Sequence, residues 1–201
     1  MIARKSFLVT ISKLISSGLS FVALLFITRY LGAEVLGTIS WTLALVATFN
    51  VVSDLGLNSA HIKRVSEGRD INDCLSTFIV SKLLLTGLMV IFVLFSVWTW
   101  TEIFGQPLEE TSISLIVFFI LNMAFFDIAQ ISTMTYNARM EIAKSQVSSV
   151  VEILVRVPLI LFVCLNGMSD LALAYAYVIG ALAFAVIALL LLSRERIEWR
   201  K

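Results

Sequence analysis

Residues 61–110 read HIKRVSEGRD-INDCLSTFIVSKLLLTGLMVIFVLFSVWTW-TEIFGQPLEE, a long apolar run between two charged breaks. Its centre, residues 74–100, is long and apolar enough to cross a bilayer core, which requires roughly 20 apolar residues. The break before it is basic, with Lys63, Arg64 and Arg69, and the break after it is acidic. Because cytoplasmic loops collect Lys and Arg, this asymmetry predicts a helix that enters from the cytoplasm and leaves on the opposite side.

Further apolar segments lie on both sides of this one, and the breaks between them alternate in charge. The predicted helices cover about residues 7–31, 35–57, 74–100, 112–136, 147–165 and 171–192. Of the 15 Lys and Arg residues, only Arg29, Lys82 and Arg156 fall outside the predicted cytoplasmic side. The runs are too long and unbroken for β-barrel strands of roughly 10 alternating residues. The pattern predicts an all-α membrane protein, a single six-helix lobe over residues 1–201 with both ends in the cytoplasm.

Composition excludes several classes of protein. The chain is 59% hydrophobic and only 14% charged, whereas soluble domains average about 45–50% apolar and 25% charged residues. The net charge of +1 gives no reason to expect a nucleic-acid partner. With only Cys74, Cys164 and His61 available, neither a disulfide nor a metal centre nor another cofactor is expected.

Charged residues inside the apolar segments are the candidates for a functional site. A charge at the bilayer centre costs at least about 2.5–3.5 kcal/mol, so such side chains face a bundle interior, water or the interface. Lys13 shares one helix face with Ser16, Ser17 and Ser20. This face either lines a cavity or packs against another helix while Lys13 extends to the cytoplasmic surface.

The fifth segment carries Glu152 and Arg156, one helical turn apart and in the order that favours an ion pair. Arg156 is predicted at roughly 15 Å from the cytoplasmic end, near the midplane. In the fourth segment Asp127 shares a face with Gln130, which is typical either of hydrogen bonding between helices or of ion or proton coupling. Lys82, in the third segment, either extends to the cytoplasmic interface or faces the interior.

Four charged residues from four different helices are predicted at similar depth in the cytoplasmic third: Lys13, Lys82, Asp127 and Glu152. A water-filled vestibule open to the cytoplasm would accommodate them. The basic side chains of this group suit a substrate with anionic groups. The acidic side chains would balance the charge and could titrate or bind a cation. Asp127 and Glu152 are therefore the candidate ion-coupling residues.

Residues 28–40, TRYLGAEVLGTIS, carry a family resemblance. This stretch resembles the end of helix one and the start of helix two in polysaccharide flippases of the multidrug/oligosaccharidyl-lipid/polysaccharide exporter superfamily. The later residues 53–60, SDLGLNSA, and 62–64, IKR, also match at the expected spacing. The match is best over residues 1–100, and hydropathy extends it to the end.

The resemblance implies a flippase in the cytoplasmic (inner) membrane that moves polyprenyl-diphosphate-linked oligosaccharide for polysaccharide biosynthesis. It also implies alternating access between two six-helix lobes, in which cationic side chains bind the diphosphate. Judged by charge alone, the candidate residues for binding the diphosphate are Lys13, Arg29, Lys82 and Arg156. Of these, only Arg29 lies in a matched motif. Family members usually have 12 to 14 helices, so this chain resembles one amino-terminal lobe. Either it is truncated, or another copy or chain supplies the second lobe.

Two other functions stay open. A lobe without its second half would act as a non-transporting membrane partner that packs against other proteins. The other possibility is a membrane enzyme that modifies a lipid. Such chemistry requires a His/Asp cluster, a metal site or a sizeable polar loop. His61 has no evident catalytic partner in the sequence, so the chain is not expected to be an enzyme.

Overall fold

The computed structural model describes residues 2–103, 105 and 108–199, with backbone only for residues 2–6, 8 and 195–199. Within these residues the chain forms helices throughout: α1 (Ile2–Tyr30), α2 (Ala33–Asp54), α3 (Leu57–Ser66), α4 (Ile71–Glu102), α5 (Glu110–Ala138), α6 (Ile142–Leu165) and α7 (Asp170–Trp199). Six segments are long and apolar enough to cross a membrane, and α2 and α3 together make one of them. The predicted all-α membrane protein with six spanning segments is confirmed.

Most helices extend beyond their apolar runs. α4 covers Ile71–Glu102, whereas hydropathy predicts only residues 74–100. The helix is longer at both ends, and at the start the side chain of Asp70 accepts a hydrogen bond from the backbone N–H of Asn72 and caps it. Polar caps and polar end turns are helical without being apolar, so a hydropathy boundary underestimates the helix.

The predicted basic break after residue 57 is itself largely helical. α2 ends at Asp54, and Leu55 and Gly56 adopt left-handed φ angles of 39° and 81°. α3 then begins, with the Asp54 carboxylate accepting from the backbone N–H of Asn58 at 3.0 Å. Hydropathy could not locate α3 because its residues are polar on average. The membrane segment from residue 33 to 66 is therefore a helix broken in its second half.

The predicted turn at Gly105 and Pro107 is described only in part. Gly105 adopts a left-handed φ of 62°, as expected for a turn glycine. Pro107 lies outside the described residues.

Apolar and polar side chains separate along the length of the bundle. The main apolar core is built from the halves of the helices remote from the chain termini, with Ile27, Val93, Phe119 and Ile160 among its members. The buried polar side chains lie mostly in the other half: Ser53, His61, Lys82, Asp127, Ser132, Thr135, Ser145, Ser148 and Glu152. The fold therefore places its polar interior near the end where α1 begins and α7 ends.

Candidate functional site

Lys82 and Asp127 form a buried ion pair between α4 and α5. Lys82 Nζ lies 3.0 Å from Asp127 Oδ1, and each side chain is only 1% exposed. The interpretation that Lys82 extends to the cytoplasmic interface is thus wrong. An opposite charge on the neighbouring helix offsets the desolvation of both groups, so the side chain stays inside the bundle.

Oxygen atoms from three helices complete the surroundings of this pair. Lys82 Nζ also donates to the backbone oxygen of Ser53 and to Gln130 Oε1, each at 3.2 Å. Asp127 Oδ1 lies 3.0 Å from Ser53 Oγ, and Oδ2 accepts from Thr86 Oγ1 at 3.0 Å. The interpretation of Asp127 as a residue that forms hydrogen bonds between helices predicted such partners, and Ser53 on α2 and Thr86 on α4 are two of them.

The predicted pair of Glu152 and Arg156 is present on α6. The Arg156 guanidinium lies 5.2 Å from the centre of the Tyr177 ring on α7, within the range of a cation–π contact. A Cβ added at Gly180 would come within 2.8 Å of Arg156 Cβ, so only glycine permits this approach of α6 and α7. The backbone oxygen of Tyr177 accepts from Asn122 Nδ2 at 2.9 Å, which ties α5 to the same point.

A polar cavity of about 390 Å³ lies beside these two ion pairs. Its lining residues come from α3, α5, α6 and α7: Asn58, Phe126, Gln130, Thr133, Met134, Asn137, Ser145, Gln146, Ser149, Glu152 and Phe184. Glu152 reaches it directly, whereas Gln130 links it to Lys82 and also accepts from Asn58 Nδ2 at 2.8 Å. The charged residue of this lining is Glu152, and the cations nearest to the lining residues are Lys82 and Arg156.

The structure does not bring all predicted site residues together. Glu152 lines the cavity. Lys82 contacts the lining residue Gln130 and pairs with Asp127, and Arg156 pairs with Glu152. Lys13 and Arg29 are exposed on α1 and do not line it. Of the four residues predicted at similar depth, Glu152 lines the cavity, whereas Lys82 and Asp127 lie behind Gln130 and Lys13 lies elsewhere.

Several residues of the site were missed from the sequence. Ser53 and Thr86 are beside the ion pair, yet such side chains are common at ordinary contacts between membrane helices. A signal for Ser53 was its place just before Leu55 and Gly56, where a helix break frees backbone carbonyls.

His61 packs in the interior between three helices. Its ring stacks on Phe78 with centroids 4.1 Å apart, and Nε2 lies 3.0 Å from Thr135 Oγ1. These contacts fix α3 against α4 and α5. Among the described residues no group of three or more His, Cys, Asp and Glu side chains could hold a metal ion.

Comparison with known proteins assigns the chain to a family. Over 90 residues it is 33% identical to the "Probable low-salt glycan biosynthesis flippase Agl15" of Haloferax volcanii, an alignment that covers 45% of this chain and 19% of that protein. No solved structure matches the chain significantly. Residues 2–200 match the model of the family described as "Polysaccharide biosynthesis protein". Since that match extends over nearly the whole sequence, this chain belongs to the polysaccharide biosynthesis protein family.

Proposed function

We propose that this chain is one lobe of a flippase that carries polyprenyl-diphosphate-linked oligosaccharide across the cytoplasmic membrane. Family membership, the name of the Haloferax relative and the six apolar spanning segments support this proposal. Both chain termini are proposed to lie in the cytoplasm, as the distribution of Lys and Arg favours.

The observation that carries the proposal is the polar cavity bordered by buried charges. A lipid-linked sugar can leave its lipid tail in the bilayer, but its diphosphate and sugar must cross the apolar core. Inside the bundle, the cavity offers amide, hydroxyl and carboxylate groups from Gln130, Ser149 and Glu152. At about 390 Å³ it is at the small end of ligand pockets, which run from about 300 to 1,000 Å³. It would hold only the part of the headgroup next to the lipid.

The cations of the site are proposed to bind the diphosphate. Lys82 and Arg156 are each held by an acid, so an arriving anion competes with Asp127 and Glu152 for them. We propose that protonation of these acids, or binding of a cation to them, releases Lys82 and Arg156 for the substrate. Coupling to an ion gradient would follow from that competition.

Lys13 and Arg29 are proposed to meet the substrate from outside this lobe. Both are exposed on α1, a helix that buries little of its surface against the rest of the bundle. Alternating access around a site between repeats requires two repeats. A second six-helix lobe, from another copy or another chain, would bring a surface opposite Lys13 and complete the pathway.

A reconstituted transport assay tests the proposal. Lipid-linked oligosaccharide would be loaded on one leaflet of proteoliposomes, and its arrival on the other followed with an impermeant glycosidase. We expect transport when a second lobe is supplied, and its loss in Lys82→Ala, while Lys63→Ala transports normally. Lys63 is a suitable control because its pair with Glu67 lies on the exposed surface.

The assay also separates the alternatives. If this chain and the second lobe together transport the lipid, and neither Lys82→Ala nor Arg156→Ala reduces that transport, this chain is a non-transporting partner. Chemical change of the lipid without movement between leaflets would indicate an enzyme.

A further inference from the structure

The Lys82 ammonium fills a cage of oxygen atoms. Its Nζ lies 3.0 Å from Asp127 Oδ1, 3.2 Å from the backbone oxygen of Ser53 and 3.2 Å from Gln130 Oε1. A lysine ammonium has three N–H donors and no acceptor. Each donor therefore has one oxygen acceptor from the protein, each from a different residue.

A break in the membrane helix supplies the carbonyl of this cage. Ser53 lies in the last turn of α2, which ends at Asp54 before the left-handed residues Leu55 and Gly56. The last four carbonyls of a helix lack intrahelical partners, and the helix dipole makes this end partly negative. The backbone oxygen of Ser53 is one of these groups, and it points at a positive charge.

Two hydroxyl groups lie beside the carboxylate of the cage. Ser53 Oγ is 3.0 Å from Asp127 Oδ1, and Thr86 Oγ1 is 3.0 Å from Asp127 Oδ2. The cage thus offers carboxylate, carbonyl, amide and hydroxyl oxygens and a single negative charge. In membrane transporters the interrupted ends of half-helices, with their free carbonyls, coordinate Na⁺ in a similar way.

We propose that this cage is a monovalent-cation site in which the Lys82 ammonium is the resident cation, and that Na⁺ replaces it when the side chain withdraws. The exchange keeps the local charge constant, because one positive charge leaves as another enters. Gln130 borders both the cage and the cavity, so an anion in the cavity lies one side chain from the ammonium. The withdrawal toward a diphosphate rests on the proposed transport function, whereas the cation site does not.

Lys82→Ala tests the site without any transport measurement. The purified chain and its variant would be unfolded thermally in chloride salts of Na⁺ and of N-methylglucamine. We expect the melting temperature of the natural chain to be insensitive to the cation. The variant should melt lower and recover by about 3–6 °C in Na⁺ at roughly ten times the dissociation constant.

Three controls identify the ligand set. Lys82→Ala combined with Asp127→Asn lacks the charged ligand and should show no Na⁺ effect. Lys82→Met fills the cage with an apolar chain and should show none either. Lys63→Ala removes an exposed ammonium of the same type and should behave like the natural chain.

The following results would overturn the proposed cation site. A Lys82→Ala variant with the same melting temperature in both salts would exclude the site. If Lys82→Ala does not fold, Lys82→Ser, which adds a hydroxyl oxygen, replaces it; failure of both to fold even in Na⁺ also overturns the proposal. A Na⁺ effect in a chain that never transports would leave the site standing and refute only the proposed function.

Discussion

Lys82 on α4 and Asp127 on α5 form an ion pair of 3.0 Å in which neither side chain is more than 1% exposed. Such a pair is held by mutual attraction and by the surrounding hydrogen bonds, so loss of one partner strands a buried charge. The consequences extend from stability to transport.

Asp127→Asn should destabilise the chain by about 3–5 kcal/mol, because the Lys82 ammonium then lacks a counter-charge. Replacing both residues, with Lys82→Met and Asp127→Leu, should restore much of the loss since no buried charge remains. Reversible unfolding in detergent would measure both effects. A single variant as stable as the natural chain would contradict the importance of the pair.

Gly180→Ala should separate α6 from α7. A Cβ at this position comes within 2.8 Å of Arg156 Cβ, a contact between inflexible atoms, and overpacking of this kind typically costs about 1–3 kcal/mol. Gly87→Ala is the matched control, because a Cβ there meets nothing within 4 Å in the middle of α4. It should be neutral or stabilising by up to about 1 kcal/mol. Equal melting temperatures for the two variants would refute the close approach.

Arg156→Ala should abolish flippase activity without preventing membrane insertion. The side chain links Glu152 to Tyr177, and its loss removes the partly buried cation paired with the cavity residue Glu152. Membrane fractionation measures insertion and the proteoliposome assay measures transport. Undiminished transport, with the second lobe present, would exclude a role for this residue.

Transport should depend on a proton or sodium gradient through Asp127 or Glu152. Ionophores that collapse the gradient should reduce transport to background, and either Asp127→Asn or Glu152→Gln should remove this dependence. The same assay with and without ionophore is sufficient. Transport that continues unchanged after collapse would show that these acids do not couple it to an ion.

Cysteine labelling can determine which loops of the chain face the cytoplasm. In a background with buried Cys74 and Cys164 replaced by Ala, single cysteines would be introduced as Glu109→Cys and Ser66→Cys. An impermeant maleimide should label position 109 in intact cells and position 66 only after permeabilisation, since the basic breaks are predicted inside. The reverse pattern would invert the topology.

Hydropathy and charge were enough to identify the six spanning segments, and helical spacing was enough to predict the pair of Glu152 and Arg156. Both predictions depend only on residues that are close to one another in the sequence. Spacing placed Lys82 and Asp127 at similar depth but could not pair them, because they are on different helices whose rotation depends on packing. Nor could it locate α3, whose polar residues carry no hydropathy signal.

The class of this protein, its spanning segments and its family follow from the amino-acid sequence, because a bilayer requires apolar runs of a minimum length and the family motifs are local. Which buried charges meet depends on how the helices pack. This packing turned Lys82 inward onto Asp127, set the broken end of α2 beside them, and left Lys13 and Arg29 exposed on α1. These contacts join residues 29 to 74 positions apart, and only the packing of the helices brings them within hydrogen-bond distance.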